Sequence, residues 1–532
     1  MDLLSLSLTE WALGGTLLLF VLYKYGTWSY NHFKSKGIKN HKPLPFLGSM
    51  AAMVFKYKSI VYVIEDICKE FEEEPFVGVF QFREPIVMVK DPELIKRIAV
   101  KDFEFFTDHQ QTFNEKADSL FTKNLFALRG EKWRDMRATL SPAFTSSKMK
   151  NMFHLMNQCG QQLGDYLHRE ISKQEPGKPY VLEMKDLFTR FTNDVIATSA
   201  FGVQVDSLKE KNNHFYTMGK TLTNFSGTKF FKFIGLMMFP KLMEFFRIGF
   251  FQKEEKQFFS DLVHQTISTR EREGIVRPDM IHLLMQARKG ELKAEHEESD
   301  VFVNGSGKAK KIDMTDEDIE AQVMIFFFAG FDTASTLLSF ASILLATHED
   351  VQRKLQQEVD EMLGDDHQLT YEKVQKMKYL DMVISESLRL FPPVPFLDRL
   401  CVKNFTIPAT EKQPGYTIKK GEVTWIPAYA IHHNPKYYAD PERFDPERFS
   451  DENKNNIQPY TYLPFGMGPR LCIGQRFALL EAKVALVHIL SHFNLTVVEK
   501  TPLPLRLTRD SFIMGIEGGF WMGATPRKQA AT

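Results

Sequence analysis

The first stretch of the chain, Leu3 to Tyr23, is almost wholly apolar, with Glu10 its single charge. As a helix rising about 1.5 Å per residue, it reaches about 30 Å, the thickness of a bilayer's hydrocarbon core. Trp11 lies near one end and Tyr23, Tyr25 and Trp28 near the other, where interfacial aromatics sit. Lys24, Lys34, Lys36, Lys39 and Lys42 follow, whereas only Asp2 and Glu10 precede. That bias of positive charge puts everything after Tyr23 on the cytosolic side. A cleaved secretory signal is the competing reading, but it wants a basic leader and a small-residue cleavage site, and neither is evident. The pattern divides the chain into an N-terminal membrane anchor at 1–25, a basic, proline-containing linker at 26–48 and one large body at 49–532. On this topology the sequons at Asn224, Asn304, Asn404 and Asn494 carry no glycan.

Within the body, apolar β-formers predict strands near Val77–Phe82 and Ile86–Val89, flanking a turn at Arg83-Glu84-Pro85. The chain then reads as mostly helical up to Leu390, with a polar surface loop from about Lys289 to Lys311. Pro392 to Pro427 contains six prolines and reads as irregular with short strands, one helix follows Cys472, and the tail from Leu495 reads as short strands. The fold class is mostly α with a minor β portion. Val323 to Ala346 would also suit a membrane by hydropathy, since Asp332 is its only charge. A span would have to tolerate Thr333, Ser335, Thr336, Ser339 and Ser342 as well, and an intramembrane carboxylate costs about 2.5–3.5 kcal/mol on the mildest scale. A helix through the centre of a large core fits better. Thr315 and Asp318 give it a capping-box start, and Ile319 to Thr347 would run about 43 Å.

Composition narrows the class. Lys+Arg and Asp+Glu are 67 each, so the net charge is zero, which argues against a nucleic-acid binder. At 43% hydrophobic and 25% charged the chain is a folded globular one, and its negative mean hydropathy excludes a polytopic membrane protein. The four cysteines, Cys68, Cys159, Cys401 and Cys472, are too scattered for a disulfide framework or a zinc site. Phenylalanines cluster at Phe103, Phe105, Phe106, Phe113 and Phe121 and again from Phe225 to Phe259. Most such stripes are core, but Lys229 to Phe251 mixes lysines with large apolar residues as a membrane-interface segment would.

The most informative residues are Phe465-Gly466-Met467-Gly468-Pro469-Arg470-Leu471-Cys472-Ile473-Gly474. Three glycines and a proline allow tight turns, and Cys472 then stands just before a helix, where backbone N–H groups and the helix dipole favour a thiolate. A lone shielded thiolate with no Cys or His neighbour suits an axial ligand to haem iron. Phe465, Gly468, Arg470, Cys472 and Gly474 match F-x-x-G-x-R-x-C-x-G, and the chain thereby resembles the cytochrome P-450 superfamily of haem-thiolate monooxygenases. Ala329-Gly330-Phe331-Asp332-Thr333, Glu386-Ser387-Leu388-Arg389, Pro446-Glu447-Arg448-Phe449 and the pair Trp133 and Arg137 follow the family's other motifs in the family's order.

The resemblance implies the cytochrome P-450 fold, with haem b between a central helix and the cysteine-bearing loop, and makes 49–532 the catalytic haem domain. It implies Cys472 as the iron ligand, and Trp133, Arg137, Arg399, Phe465 and Arg470 as further cofactor contacts, the arginines holding the propionates. Glu386, Arg389 and Arg448 would form a structural triad locking the cysteine loop to the core. Gly330 and Thr333 would open a groove beside the iron, and Asp332 and Thr333 would relay protons during oxygen activation. Phe326, Phe331, Val394, Phe396 and Phe512 are the expected pocket wall, whose apolar character points to lipophilic substrates.

Phe326 to Ser335 and the Phe-rich roof resemble the insect microsomal clan and its family nine, which implies oxidation of plant toxins and insecticides, or of endogenous lipids. No dinucleotide fingerprint or phosphate-binding loop is apparent. The resemblance therefore implies electrons from an NADPH-dependent flavoprotein reductase, sometimes with cytochrome b5, at the cytosolic face of the endoplasmic reticulum membrane. Lys132, Arg134, Lys148 and Lys150 could form a basic docking face. The rival readings are a haem-thiolate isomerase or dehydratase that uses no O2, and a non-catalytic haem sensor. Retention of Asp332-Thr333 counts against both.

Overall fold

The computed structural model describes residues 8–110, 118–224, 227–291, 314–411, 413–509 and 513–527. Phe113, Phe225, Asn304 and Phe512, and most of the polar loop expected from Lys289 to Lys311, lie outside them. The apolar N-terminal pattern becomes a helix at Leu8–Thr27 whose large side chains, from Leu8 and Trp11 to Tyr23 and Tyr25, are all exposed. Only Gly26 is buried, because a side chain there would stand 2.7 Å from the Phe46 ring.

The segment 26–48, expected as a linker, is instead part of the body. Phe33 and Ile38 are core residues, and the Phe33 ring fills the space that a side chain at Gly78 would need, 2.4 Å away. Gly48 has φ +59°, and a Cβ there would meet the Phe82 carbonyl at 2.2 Å. The glycine lets the chain lie flat on a strand edge, and this docking sets the exit angle of the N-terminal helix.

Among the described residues there are nine short strands: β1 Phe76–Gln81, β2 Glu84–Val89, β3 Tyr180–Glu183, β4 Leu397–Leu400, β5 Phe405–Ile407, β6 Tyr416–Ile418, β7 Val423–Ile426, β8 Phe493–Thr496 and β9 Trp521–Pro526. They form three sheets, in the orders β1-β2-β7-β4, β3-β9-β8 and β5-β6. The first hairpin turns at Phe82-Arg83, not at Arg83-Glu84-Pro85, since Gln81 pairs with Glu84 and Pro85 with Phe80. Pro85 is tolerated because pairing with β7 begins only at Ile86, so its missing N–H costs no ladder bond.

The central helix, Asp316–Thr347, starts at the expected capping box. Thr315 N–H donates to Asp318 Oδ2 at 2.9 Å, and Asp318 N–H donates to Thr315 Oγ1 at 3.2 Å. It is the one helix among the described residues long and apolar enough by composition to cross a membrane, and two-thirds of its most apolar window is buried in protein. It packs on the helices Met184–Ile196, Lys378–Leu390 and Gln475–Leu490. These bring together the acid–threonine pair, the E-x-x-R pair and the cysteine loop.

Candidate active site

The cysteine loop is shaped by its glycines. Gly466 and Gly468 have φ +75° and +68°, and a Cβ at Gly468 would lie 1.8 Å from the Ala99 carbonyl. Cys472 N–H donates to the Phe465 carbonyl at 2.9 Å, and the helix Gln475–Leu490 begins after Gly474. Of the four free cysteines among the described residues, Cys472 alone is exposed. Burial raises the Cys68 thiol to about 12. Protein surrounds Cys472 too, and raises its thiol, but the Gly474 N–H and the Arg137 charge pull the other way. An exposed sulfur enclosed on this scale belongs to the wall of an internal cleft.

Three buried arginines stand around this loop. Arg470 stacks on the Trp133 ring at 4.1 Å, and donates to the carbonyls of Thr107, Leu125, Phe126 and Leu128 at 2.8, 3.3, 3.3 and 2.9 Å, with Asp108 at 3.7 Å. Burial and Arg399 lower it to about 9, and it stays a cation at neutral pH. Its donors are thus largely spent on the protein, which makes it a clamp across the loop rather than a free propionate anchor.

Arg399 differs. It donates to the Asp398 carbonyl at 2.7 Å and more loosely to Met467 at 3.3 Å, while its buried Nε has no acceptor. Burial pushes the Asp398 carboxyl up, but His109 at 2.9 Å and the Gln110 N–H overcome this and hold it below the usual value. Arg137, on the helix Gly130–Leu140 with Trp133, is buried as well. Arg470 stands by Asp108, Arg399 feels the Asp398 charge, and the Arg137 charge acts on Cys472. The orphaned Nε–H of buried Arg399 fits an anionic group such as a propionate, and the Cys472 thiol fits a soft metal centre. Among the described residues no cluster of three or more His, Cys, Asp or Glu could hold a bare metal ion.

On the central helix, Phe326, Ala329 and Thr333 share one face by their i, i+3, i+7 spacing. Ala329 is exposed, and Phe326 and Thr333 half-buried, in the middle of an otherwise buried helix, so a cleft opens there. Thr333 Oγ1 donates to the Ala329 carbonyl at 2.6 Å, one turn back, as a helix-bending threonine would. Gly330 does not open this cleft. A Cβ there would stand 2.9 Å from Ile196 Cδ1, so its absence admits the neighbouring helix.

Phe331 also departs from the expected pocket wall. It is 1% exposed and packs on Phe327 and Tyr216 at 5.1 and 6.2 Å, so it is core and not pocket wall. Its position, two residues from Ala329, turns it to the opposite face. Val394 is exposed and Phe396 half-buried against Trp425, both leading into β4. Asp332 pairs with Lys185 at 2.5 Å, a partner that its sequence neighbourhood does not reveal.

The E-x-x-R pair is fully buried. Arg389 donates Nε to Glu386 Oε2 at 2.7 Å and Nη2 to Oε1 at 2.8 Å, and Arg448 Nε and Asp445 N–H reach Oε1 at 3.3 and 3.0 Å. Sequence reasoning missed the link from here to the cysteine loop, which is His432. The Leu463 N–H donates to its Nε2 at 2.8 Å, so Nδ1 carries the proton and donates to the Arg389 carbonyl at 3.0 Å. Burial, with His433 and Arg389 adding to it, keeps this imidazole neutral and lowers it to about 3. The one hint was the His432-His433 pair ahead of the P-E-R-F segment.

Comparison with known proteins agrees with this geometry. The family model for cytochrome P-450 matches residues 39–521. Cytochrome P-450 9e2 of Blattella germanica is 51% identical over 535 residues, covering 98% of each chain. Probable cytochrome P-450 9f2 of Drosophila melanogaster is 40% identical, covering 95% of this chain and 97% of its own. Cytochrome P-450 6k1 of Blattella germanica is 37% identical over 94% of each. With a thiol on the wall of an internal cleft, a buried arginine near it whose Nε has no acceptor and a family match over nearly the whole chain, this protein belongs to the cytochrome P-450 family and is a haem-dependent monooxygenase.

Proposed function

We propose that the protein oxidises lipophilic small molecules, plant toxins and insecticides foremost, at the cytosolic face of the endoplasmic reticulum membrane, with electrons from an NADPH-dependent flavoprotein reductase and cytochrome b5 as an accessory donor. The observation that carries the site reading is the exposed Cys472 near buried Arg399, whose Nε lacks an acceptor. When bound, haem supplies the reductive activation of O2 and the insertion of one oxygen atom into substrate.

The chain's own residues do the rest. Cys472 would hold the haem iron as a thiolate, which the Gly474 N–H and the Arg137 charge favour. Arg399 and Arg137 would neutralise the propionates, and Arg470, held by four carbonyls and stacked on Trp133, keeps the cysteine loop rigid. Phe465 holds the Cys472 N–H through its carbonyl. The Thr333 hydroxyl, its proton committed to Ala329, offers lone pairs to a water in the cleft, and Asp332 is the carboxylate through which protons enter. Phe326, Val394 and Phe396 give the cleft an apolar wall that excludes bulk water and selects lipophilic substrates.

Two features support membrane attachment. The helix Leu8–Thr27 is about 30 Å long and exposes its apolar side chains on all sides. Phe231, Leu242, Phe245 and Phe246 are exposed, whereas Phe230, Phe233, Phe250 and Phe251 are buried, so one edge of the body presents bare aromatics. A substrate dissolved in the bilayer would enter there.

The reading is tested with the full-length holoprotein. The reduced, CO-bound difference spectrum should show thiolate ligation, and Cys472→Ala should abolish it. Reconstitution with reductase in microsomes, against a panel of terpenoids, fatty acids and insecticides, should give NADPH- and O2-dependent products. Rearranged products without NADPH would favour the isomerase reading.

A further inference from the structure

We infer that Lys185 is a positioning residue for proton delivery, setting which way the Asp332 carboxylate faces. The inference rests on the reading of Asp332 and Thr333 as the proton relay. Lys185 Nζ lies 2.5 Å from Asp332 Oδ1, 2.9 Å from the Asp332 carbonyl, 2.8 Å from Ser335 Oγ and 2.7 Å from Thr336 Oγ1. An ammonium has three N–H donors and no acceptor, so these four oxygens saturate it. A solvated surface pair does not gather two hydroxyls and a backbone carbonyl around the same nitrogen.

Lys185 is also delivered from a fixed frame. It lies in the first turn of the helix Met184–Ile196, whose start is pinned by the Glu183 side chain accepting from Asp186 N–H at 2.6 Å and from Phe520 N–H at 2.7 Å. Farther along, Thr192 Oγ1 donates to the Phe331 carbonyl at 2.8 Å, and Ile196 sits in the space left by Gly330. The two helices therefore hold register along their whole contact. Clamping Oδ1 turns the carboxylate toward Ser335 and Thr336 and leaves Oδ2 as the oxygen that exchanges a proton with water. The side chains of Lys185 and Asp332 are 26% and 22% exposed, so water reaches the pair.

The stoichiometry makes this readable. Productive turnover is RH + O2 + 2 e⁻ + 2 H⁺ → ROH + H2O, with the electrons drawn from NADPH through the flavoprotein. Misdirected proton delivery releases the same two electrons and two protons with O2 as hydrogen peroxide. Lys185 is accordingly assigned a role in coupling and none in binding substrate.

The test uses full-length holoenzyme with reductase and 7-ethoxycoumarin as the lipophilic probe. It compares Lys185→Met, Lys185→Gln, Lys185→Arg and Asp332→Asn, and either neutral variant that folds suffices. The neutral variants should release severalfold more peroxide per NADPH and show a changed solvent deuterium isotope effect, with an unaltered CO difference spectrum, while Lys185→Arg restores most of the coupling. In the resting protein, the infrared carboxylate band that disappears in Asp332→Asn should shift when Lys185 is replaced. If Asp332→Asn uncouples but the neutral Lys185 variants do not, or if the band stays put, the assignment to Lys185 is overturned. If Asp332→Asn itself leaves the peroxide fraction unchanged, the relay reading fails, and the role of Lys185 with it.

Discussion

Arg389 and Arg399 lie ten residues apart in sequence, and both are almost fully buried. Around Arg389 the protein supplies everything: two oxygens of Glu386, then the carbonyls of His432 and Arg443 at 2.8 and 3.3 Å. Around Arg399 it supplies two carbonyls and leaves Nε bare. Desolvating a guanidinium is expensive, and a fully buried one left under-satisfied calls for a further partner. On the proposed function the first arginine belongs to the scaffold and the second to the cofactor, and their loss should have different consequences.

The largest effect should come from breaking the satisfied cluster. Glu386→Ala strands Arg389 and Arg448 without their acceptor and should cost about 3–5 kcal/mol. Urea unfolding should register that loss with and without haem. Arg399→Leu should do the reverse. The haem-free protein should be no less stable, since an orphaned N–H disappears, while haem dissociates about tenfold or more faster, the worth of one charge-assisted hydrogen bond. Equal destabilisation of both forms by Arg399→Leu would erase the distinction.

A smaller effect should follow from pH. His432 must stay neutral to accept from Leu463, and its folded value is lowered to about 3. The stability it provides is present above its unfolded value near 6.5 and is lost as pH falls toward 3. Melting temperature against pH should decline over that window, less steeply in His432→Gln.

The smallest change concerns Glu481, on the helix after the cysteine loop, whose two carboxylate oxygens are buried without a partner. Burial raises its carboxyl well above the usual value, so this group costs stability as pH rises from about 4.3 toward its folded value. Glu481→Gln should raise the melting temperature at pH 8 more than at pH 5.

Much of the site was legible in the chain because local chemistry dictates it. The turns of the cysteine loop need glycine, the central helix announces its start through Thr315 and Asp318, and Glu386 and Arg389 share a helix face by spacing alone. Other parts were illegible for a definite reason. Whether Phe331 lines a cleft or fills the core depends on which side of its helix Tyr216 occupies, and Gly330 has meaning only beside Ile196. Lys185 and His432 reach their partners across 147 and 31 residues of chain. The segment 26–48 reads as a linker because its lysines and prolines mask Phe33 and Ile38, which become core only once β1 is in place.

The amino-acid order by itself determined the haem-thiolate motif, the mostly helical fold and an apolar N-terminal helix, since each follows from spacing, turn chemistry and hydrophobic run length. Only tertiary packing decided which apolar helix is covered and which is bare. It also left Arg399 short of acceptors while Arg470 was saturated, and closed Lys185 on Asp332. Burial and hydrogen-bond satisfaction depend on groups far apart along the chain, and no local pattern encodes what will stand opposite a side chain once the helices meet.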